Sequence, residues 1–300
     1  MSGKKVDTVV QDIYDTIESV LNGTQKDIPQ EYLDSFNEGV NNAIRRAFTP
    51  RNKVRKDKTL YFSEVGKPCV RAIWYDLNGY KREPLQPSNV IKFLYGDILE
   101  ELLILLVKLS DHEVTDEQKA VEIELHNGWK LRGRIDFKID GTLVDAKSAS
   151  SYAFKKFSEG SLPDNDPFGY LAQLGCYSIA EKDNSNIGFL AIDKQNGTLT
   201  YYAPHETDMA ISIPDWELLI DTLEGDTPPP KRYTDKAFGK SGNKCLAIEC
   251  SYCSHKDTCW TDANGGYGLR KFVYSGKPVF MTDVKREPKV PEIGVNEDEH

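Results

Sequence analysis

The chain has 300 residues, 39% of them hydrophobic, with a formal net charge of -9. That supports one large core with additions, and the lack of any apolar run of spanning length excludes a helical membrane protein. The acidity argues against a broadly basic nucleic-acid coat, and six cysteines in a chain this long with no visible secretory leader argue against a disulfide-stapled scaffold.

Apolar residues recur at Val6, Val9, Ile13, Ile17, Val20 and Leu21, which predicts an amphipathic helix over 5–22 ended by Asn22-Gly23. A second helix is expected over 30–48, stopped by Pro50. No chemistry is legible in residues 1–60, which read as a structural or partner-binding helical extension. Arg45, Arg46, Arg51, Lys53, Arg55, Lys56 and Lys58 form a basic window, either one wall of a DNA groove or a solvated linker. Past Cys69, residues 70–77 read as a helix with Ile73, Trp74 and Leu77 inward, broken at Asn78-Gly79. A longer apolar helix over 88–109 carries Gly96, Glu100 and Glu101, and its adjacent glutamates face different ways.

Strands are expected over 120–126, 129–139 and 142–147, a helix over 168–180, strands near 187–192 and 199–202, and a helix over 216–223. The fold class is α/β: a mixed sheet flanked by helices over residues 61–225. Asp226-Thr-Pro-Pro-Pro230 leads into a cysteine-bearing lobe over 226–275, to which Cys69 is added, and 276–300 read as an acidic tail without regular structure.

Residues 133–147 are the densest in chemistry. Ile135, Phe137 and Ile139 alternate with Arg134, Asp136 and Lys138, and Asp140-Gly141 suits a two-residue type I′ turn. In that register Ile139 pairs with Thr142 and Asp136 falls opposite Asp145. Opposed carboxylates with Cβ atoms roughly 4.5–5.5 Å apart repel. A divalent cation would reverse the sign, and Lys147, on the same strand face as Asp145, adds an ammonium. The same pattern also suits a solvated strand face held by a cross-strand ion pair.

Asp136 followed by Asp145-Ala146-Lys147 resembles the PD-(D/E)xK nuclease signature in its RecB-like branch. Gly96 with Glu100-Glu101 upstream and Gln173-Leu-Gly-Cys-Tyr177 downstream, similar to the QxxxY motif, match that branch in chain order. Ile135 stands where the superfamily name has Pro, and Glu100 where many relatives carry a His ligand. The resemblance implies a restriction-endonuclease-like core, and Mg²⁺ or Mn²⁺ held by Glu100, Asp136, Asp145 and the Ala146 carbonyl. Lys147 would orient the attacking water or meet charge on the phosphate. Gln173 and Tyr177 share a helix face and by themselves read as a surface glutamine and a core tyrosine. The resemblance implies that they contact DNA or support the site, and Lys155 and Lys156, just past the hairpin, are further candidate DNA contacts.

Cys250, Cys253 and Cys259 form C-x2-C-x5-C and leave a fourth ligand to be found, either Cys69 or Cys245. Four thiolates suit zinc and iron–sulfur clusters alike, and a zinc site would draw on Cys245 or His255. One early and three late cysteines around the other motifs resemble the iron–sulfur RecB-type nucleases, such as AddB nuclease domains and CRISPR-associated RecB-like exonucleases. That resemblance spans residues 63–260 and implies a 4Fe-4S cluster on Cys69, Cys250, Cys253 and Cys259. Cys176 reads as a small buried hydrophobe.

Composition makes the cytoplasm, of a bacterial or phage-infected cell, the default compartment. The resemblance implies a metal-dependent DNA exonuclease that prefers single-stranded ends, and a stand-alone chain with no visible helicase motifs suggests DNA processing or recombination of phage or mobile-element origin. The alternatives are a CRISPR-adaptation nuclease working with an integrase and a non-catalytic DNA-end binding module. A full set of acids with Lys147 argues against the latter. A protein partner or homo-oligomer is left open.

Overall fold

The computed structural model describes residues 3–24, 27–49, 57–67, 69–182, 187–209 and 213–293. Arg51, Lys53, Arg55 and Lys56 of the basic window, and the last seven residues of the acidic tail, lie outside them.

The chain begins with α1 (Val9–Leu21), α2 (Gln30–Phe48), β1 (Thr59–Tyr61), α3 (Phe62–Val65), α4 (Val70–Leu77) and α5 (Pro87–Leu109). Next come β2 (Val114–Thr115), β3 (Ala120–Glu124), β4 (Lys130–Arg134), β5 (Phe137–Ile139), β6 (Thr142–Ala149), α6 (Ser151–Ser158), α7 (Tyr170–Glu181), β7 (Ile187–Asp193), β8 (Leu199–Tyr202) and α8 (Ile213–Leu223). The last part holds β9 (Lys236–Phe238), β10 (Asn243–Cys245), the single-turn helices α9 (Ile248–Ser251), α10 (Lys256–Cys259) and α11 (Ala263–Gly266), then β11 (Arg270–Tyr274), β12 (Lys277–Asp283) and β13 (Glu292–Ile293). Two compact units result: Met1–Lys67 with Leu85–Leu218, and Pro68–Pro84 with Leu219–His300.

The first unit is built on a five-stranded sheet in the order β2-β5-β6-β7-β8, with β6 and β7 parallel and the other neighbours antiparallel. β7 is buried along its whole length, as a central strand covered on both faces should be. On one face Phe137, Ile139, Val144, Leu190 and Ile192 pack against Leu99, Leu103 and Val107 of α5. Side chains of opposite parity point the other way, where Phe189 meets Phe157 of α6 and Lys138 pairs with Glu181 of α7.

Two expectations change in this unit. The front helices are no separate extension: Val6, Val9 and Ile13 lie in the same apolar cluster as α5, and the Tyr14 hydroxyl accepts a hydrogen bond from Leu199 N at 2.8 Å. An amphipathic stripe has to be buried somewhere, and α5 supplies apolar surface beyond what the sheet covers. Gly39 in α2 meets α5 closely, since a Cβ there would lie 2.1 Å from the Glu101 carboxylate. The strand expected over 129–139 is also broken. β4 leaves for a three-stranded sheet in the order β1-β4-β3, and the bend falls at Ile135 and Asp136. There Ile135 N donates to Lys119 O and Gln118 N to Asp136 O, each at 2.9 Å, so the backbone stays paired through the turn between sheets.

The second unit contains an antiparallel sheet in the order β13-β11-β12-β10-β9. Residues 277–283 and 292–293 are therefore strands, where an unstructured tail was expected from 276. Ser275 and Gly276, at φ 48° and 75°, form the tight turn that returns β12 onto β11. α4 belongs here, with Cys69 just before it. Trp74 Nε1 donates to Gly225 O at 2.8 Å and Arg71 Nη1 to Pro229 O at 2.6 Å, which clamps the proline run. No described helix is long and apolar enough to cross a membrane.

Candidate functional site

The β5–β6 hairpin closes in the expected register. Asp140 and Gly141 sit at φ 49° and 81°, and Ile139, Lys138 and Phe137 pair with Thr142, Leu143 and Val144. The Asp140 carboxylate fixes the turn by accepting from Glu113 N at 3.0 Å and meeting His112 Nδ1 at 2.6 Å. Asp136 lies one step beyond the last paired residue, in line with Asp145. Its Oδ2 accepts a hydrogen bond from Ala146 N at 2.8 Å, so a side chain takes the place of the next ladder bond. Asp145 is 2% exposed, and its buried Oδ2 is the oxygen ion-paired with the Lys147 ammonium.

α5 brings Glu100 to the same place. Gln118 Nε2 donates to Glu100 Oε1 at 2.6 Å while Gln118 N holds the Asp136 carbonyl, so one residue braces two of the acids. Burial, and then the charges of Glu101, Asp145 and Asp97, push Glu100 up to about 7. Burial, Asp145 and Glu100 likewise hold Asp136 well above the usual carboxylate range. For Lys147 burial works downward but is outweighed by Asp145 and Asp136, and its ammonium is pushed up to about 12. Three crowded acids around one ammonium form a net-negative pocket that gains by taking up protons or a cation. A cavity of about 200 Å³ opens here, lined by Gly96, Glu100, Ala146, Lys147, Ser148 and Tyr170 among others. Glu101 points away, onto Gly39.

Carboxylate oxygens of Glu100, Asp136 and Asp145 on rigid elements, more acid than the one ammonium of Lys147 balances, are a donor set that fits a hard divalent cation. The acids share a field without making a closed ligand shell: no group of three or more His, Cys, Asp or Glu among the described residues is arranged to hold a metal ion.

Tyr177 is buried. Its hydroxyl donates to Arg134 O at 2.7 Å and accepts from Gln173 Nε2 at 3.1 Å, and its ring meets Phe62 edge-on at 5.2 Å. With its ring buried and its hydroxyl engaged on both sides, Tyr177 is placed to support the site and has no free face for a DNA base. It holds the β4–β5 break just before Asp136. Of the two lysines in α6, Lys155 is exposed and Lys156 ties down Asn165 O at 2.8 Å. Sequence reasoning missed Gln118, which carries no local signal, and Tyr170. The Lys147 Nζ stands 4.7 Å from the Tyr170 ring centroid. Tyr170 was findable, since positions 170, 173 and 177 make one helical stripe.

Cys69, Cys250, Cys253 and Cys259 all lie in the second unit and line one cavity of about 40 Å³, together with Tyr75, Tyr233 and Trp260. Burial, and then Cys253, Cys69 and Cys259, push the Cys250 thiol up to about 12. Cys245 sits in β10, paired with Met281 and Lys236. His255 Nε2 contacts Asp76 Oδ1 at 2.7 Å, and its buried Nδ1 has no hydrogen-bonding partner among the described residues. Cys176 is fully buried in α7, as expected of a small hydrophobe.

A family model described as the PD-(D/E)XK nuclease superfamily matches residues 42–260. No curated protein matches the chain. The solved structure titled "Crystal structure of SSO0001" aligns at 17% identity over 73% of this chain and 91% of that one, with a TM-score of 0.42, too loose a likeness to build on.

Proposed function

The chain belongs to the PD-(D/E)XK nuclease superfamily, whose members are metal-dependent nucleases, and from that premise we propose a DNA exonuclease of the RecB-like, iron–sulfur type that acts on single-stranded ends. The observation that carries the site assignment is the mutual crowding of Glu100, Asp136 and Asp145 around Lys147. Those three carboxylates and the Ala146 carbonyl hold Mg²⁺ or Mn²⁺. In extended backbone the N–H and C=O of one residue point to the same side, so the Ala146 carbonyl faces the edge where Asp136 has replaced β5.

When bound, the cation supplies a nucleophilic water at neutral pH and charge for the phosphate. Asp136 and Asp145 fix two oxygens on neighbouring strands, and Gln118 orients Glu100. Lys147 keeps its proton at neutral pH, so it acts as a hydrogen-bond donor and cation toward the phosphoryl oxygens and not as a general base. Gln173 and Tyr177 support the strand break that presents Asp136. Lys155 faces solvent, available to the DNA backbone.

The four cysteines of the second unit hold a 4Fe-4S cluster, supported by their sharing one cavity and by the chemistry of the donor set. Its role is structural, closing a long loop of chain between Cys69 and Cys250.

The test pairs end-labelled linear with circular single-stranded DNA in Mg²⁺ or Mn²⁺, using anaerobically purified protein with its iron content and visible spectrum. Degradation of the linear form alone, lost in Asp145→Ala, is expected. Cutting of the circle would replace exonuclease with endonuclease action, absence of cleavage on every substrate would remove the hydrolase reading, and zinc without iron would remove the cluster.

A further inference from the structure

The ring that the site's lysine meets is the middle one of three aromatic rings in a row. Lys147 Nζ stands over Tyr170, whose ring lies 6.2 Å from Phe157 at 31° and stacks on Phe168 at 5.4 Å and 30°. The row starts at buried Phe157 in α6 and ends at Phe168, which is 61% exposed. A single exposed apolar side chain is ordinary, but this one stacks directly on the ring that meets the site's lysine.

The segment that carries Phe168 is pinned on both sides. Lys156 Nζ donates to Asn165 O at 2.8 Å, and Asp166 Oδ2 accepts from Leu171 N at 2.8 Å. Gly169, at φ 71°, packs so tightly that a Cβ on it would lie 2.5 Å from the Gly66 backbone. The outer face of the Phe168 ring is thus open yet held, so little conformational freedom remains to be lost when a flat group lands on it.

We infer that Phe168 is the stacking platform for an unpaired base next to the phosphate that Lys147 engages, which makes single-stranded or frayed ends the substrate class of this site. This rests on the nuclease reading above. A base inside a duplex has both faces covered by its neighbours, whereas an unpaired base offers one. Phenylalanine has no hydrogen-bonding group, so the platform takes any base.

The experiment is a double cycle read by binding. Fluorescence anisotropy of a labelled single strand is measured in Ca²⁺, with an abasic nucleotide walked inward from the end, for the wild type, Phe168→Ala and Phe168→Trp. At one position the missing base weakens wild-type binding about 5- to 150-fold. Phe168→Ala loses a similar factor on the intact strand, loses nothing further on the abasic one, and leaves blunt duplex binding unchanged; Phe168→Trp restores the intact strand. Additive losses, indifference to the abasic nucleotide at every position, or no single-strand binding overturn the inference. Because no turnover is needed, a wild type that binds in this pattern but cleaves nothing would overturn the nuclease reading and leave the platform standing.

Discussion

The Asp136 carboxylate accepts a hydrogen bond from the backbone N–H of Ala146, the residue between Asp145 and Lys147. One acid is thereby tied to the strand that carries the other acid and the lysine, across the point where β5 has ended. Asp136→Asn keeps an acceptor for Ala146 N and is expected to fold as the wild type while cleavage falls on the order of 10³-fold. Asp136→Ala loses cleavage equally and also orphans a buried N–H, at about 1–3 kcal/mol of stability. Urea denaturation separates the two. Equal stabilities would show that this hydrogen bond does not hold the hairpin.

Stability without divalent cations should fall as pH rises. The folded protein holds a proton on Glu100 up to about 7, against an ordinary value of 4.5, so the stabilisation this gives is complete below about 4.5 and is lost as pH climbs through about 7. Asp136 shifts in the same direction. Melting temperatures in chelator across this window should decline, and Glu100→Gln or added Mg²⁺ should flatten the decline. A wild-type profile that rises through the window would contradict the crowding of the acids.

Gln118→Ala removes the side chain that orients Glu100. The concentration of Mn²⁺ for half-maximal activity should rise roughly 10- to 100-fold, with the melting temperature little changed. An unaltered metal requirement would mean that Glu100 needs no brace.

Gly169→Ala forces a Cβ against the Gly66 backbone at a left-handed position. A cost of at least about 2 kcal/mol is expected, since neither backbone segment can give way as a side chain would. Chemical denaturation checks this, and a neutral outcome would mean that the contact is softer than it looks.

Cys253→Ala should lose iron, colour and the cooperative unfolding of the cysteine-bearing unit, while Cys245→Ala and Cys176→Ala keep the iron. Iron analysis on the three variants decides it. Loss of iron in Cys245→Ala would move the fourth ligand from Cys69 to Cys245.

Local pattern determined the hairpin and most helices. Alternation around Asp140-Gly141 set the register that lines Asp136 up with Asp145, and apolar spacing placed α1 and α2, because turn chemistry and side-chain periodicity act between near neighbours. The two glutamates at 100 and 101 were legible as facing different ways for the same reason. Tertiary structure decided where the apolar stripes of the front helices go, that the strand through Ile135 breaks between two sheets, and that Tyr177 is a buried brace while Tyr170 meets the lysine. It also brought Gln118 to both acids and turned residues past 276 into strands. Each of these depends on which surface fills a given space or satisfies a given backbone group, and those partners lie far off in the chain, where no local period reports them.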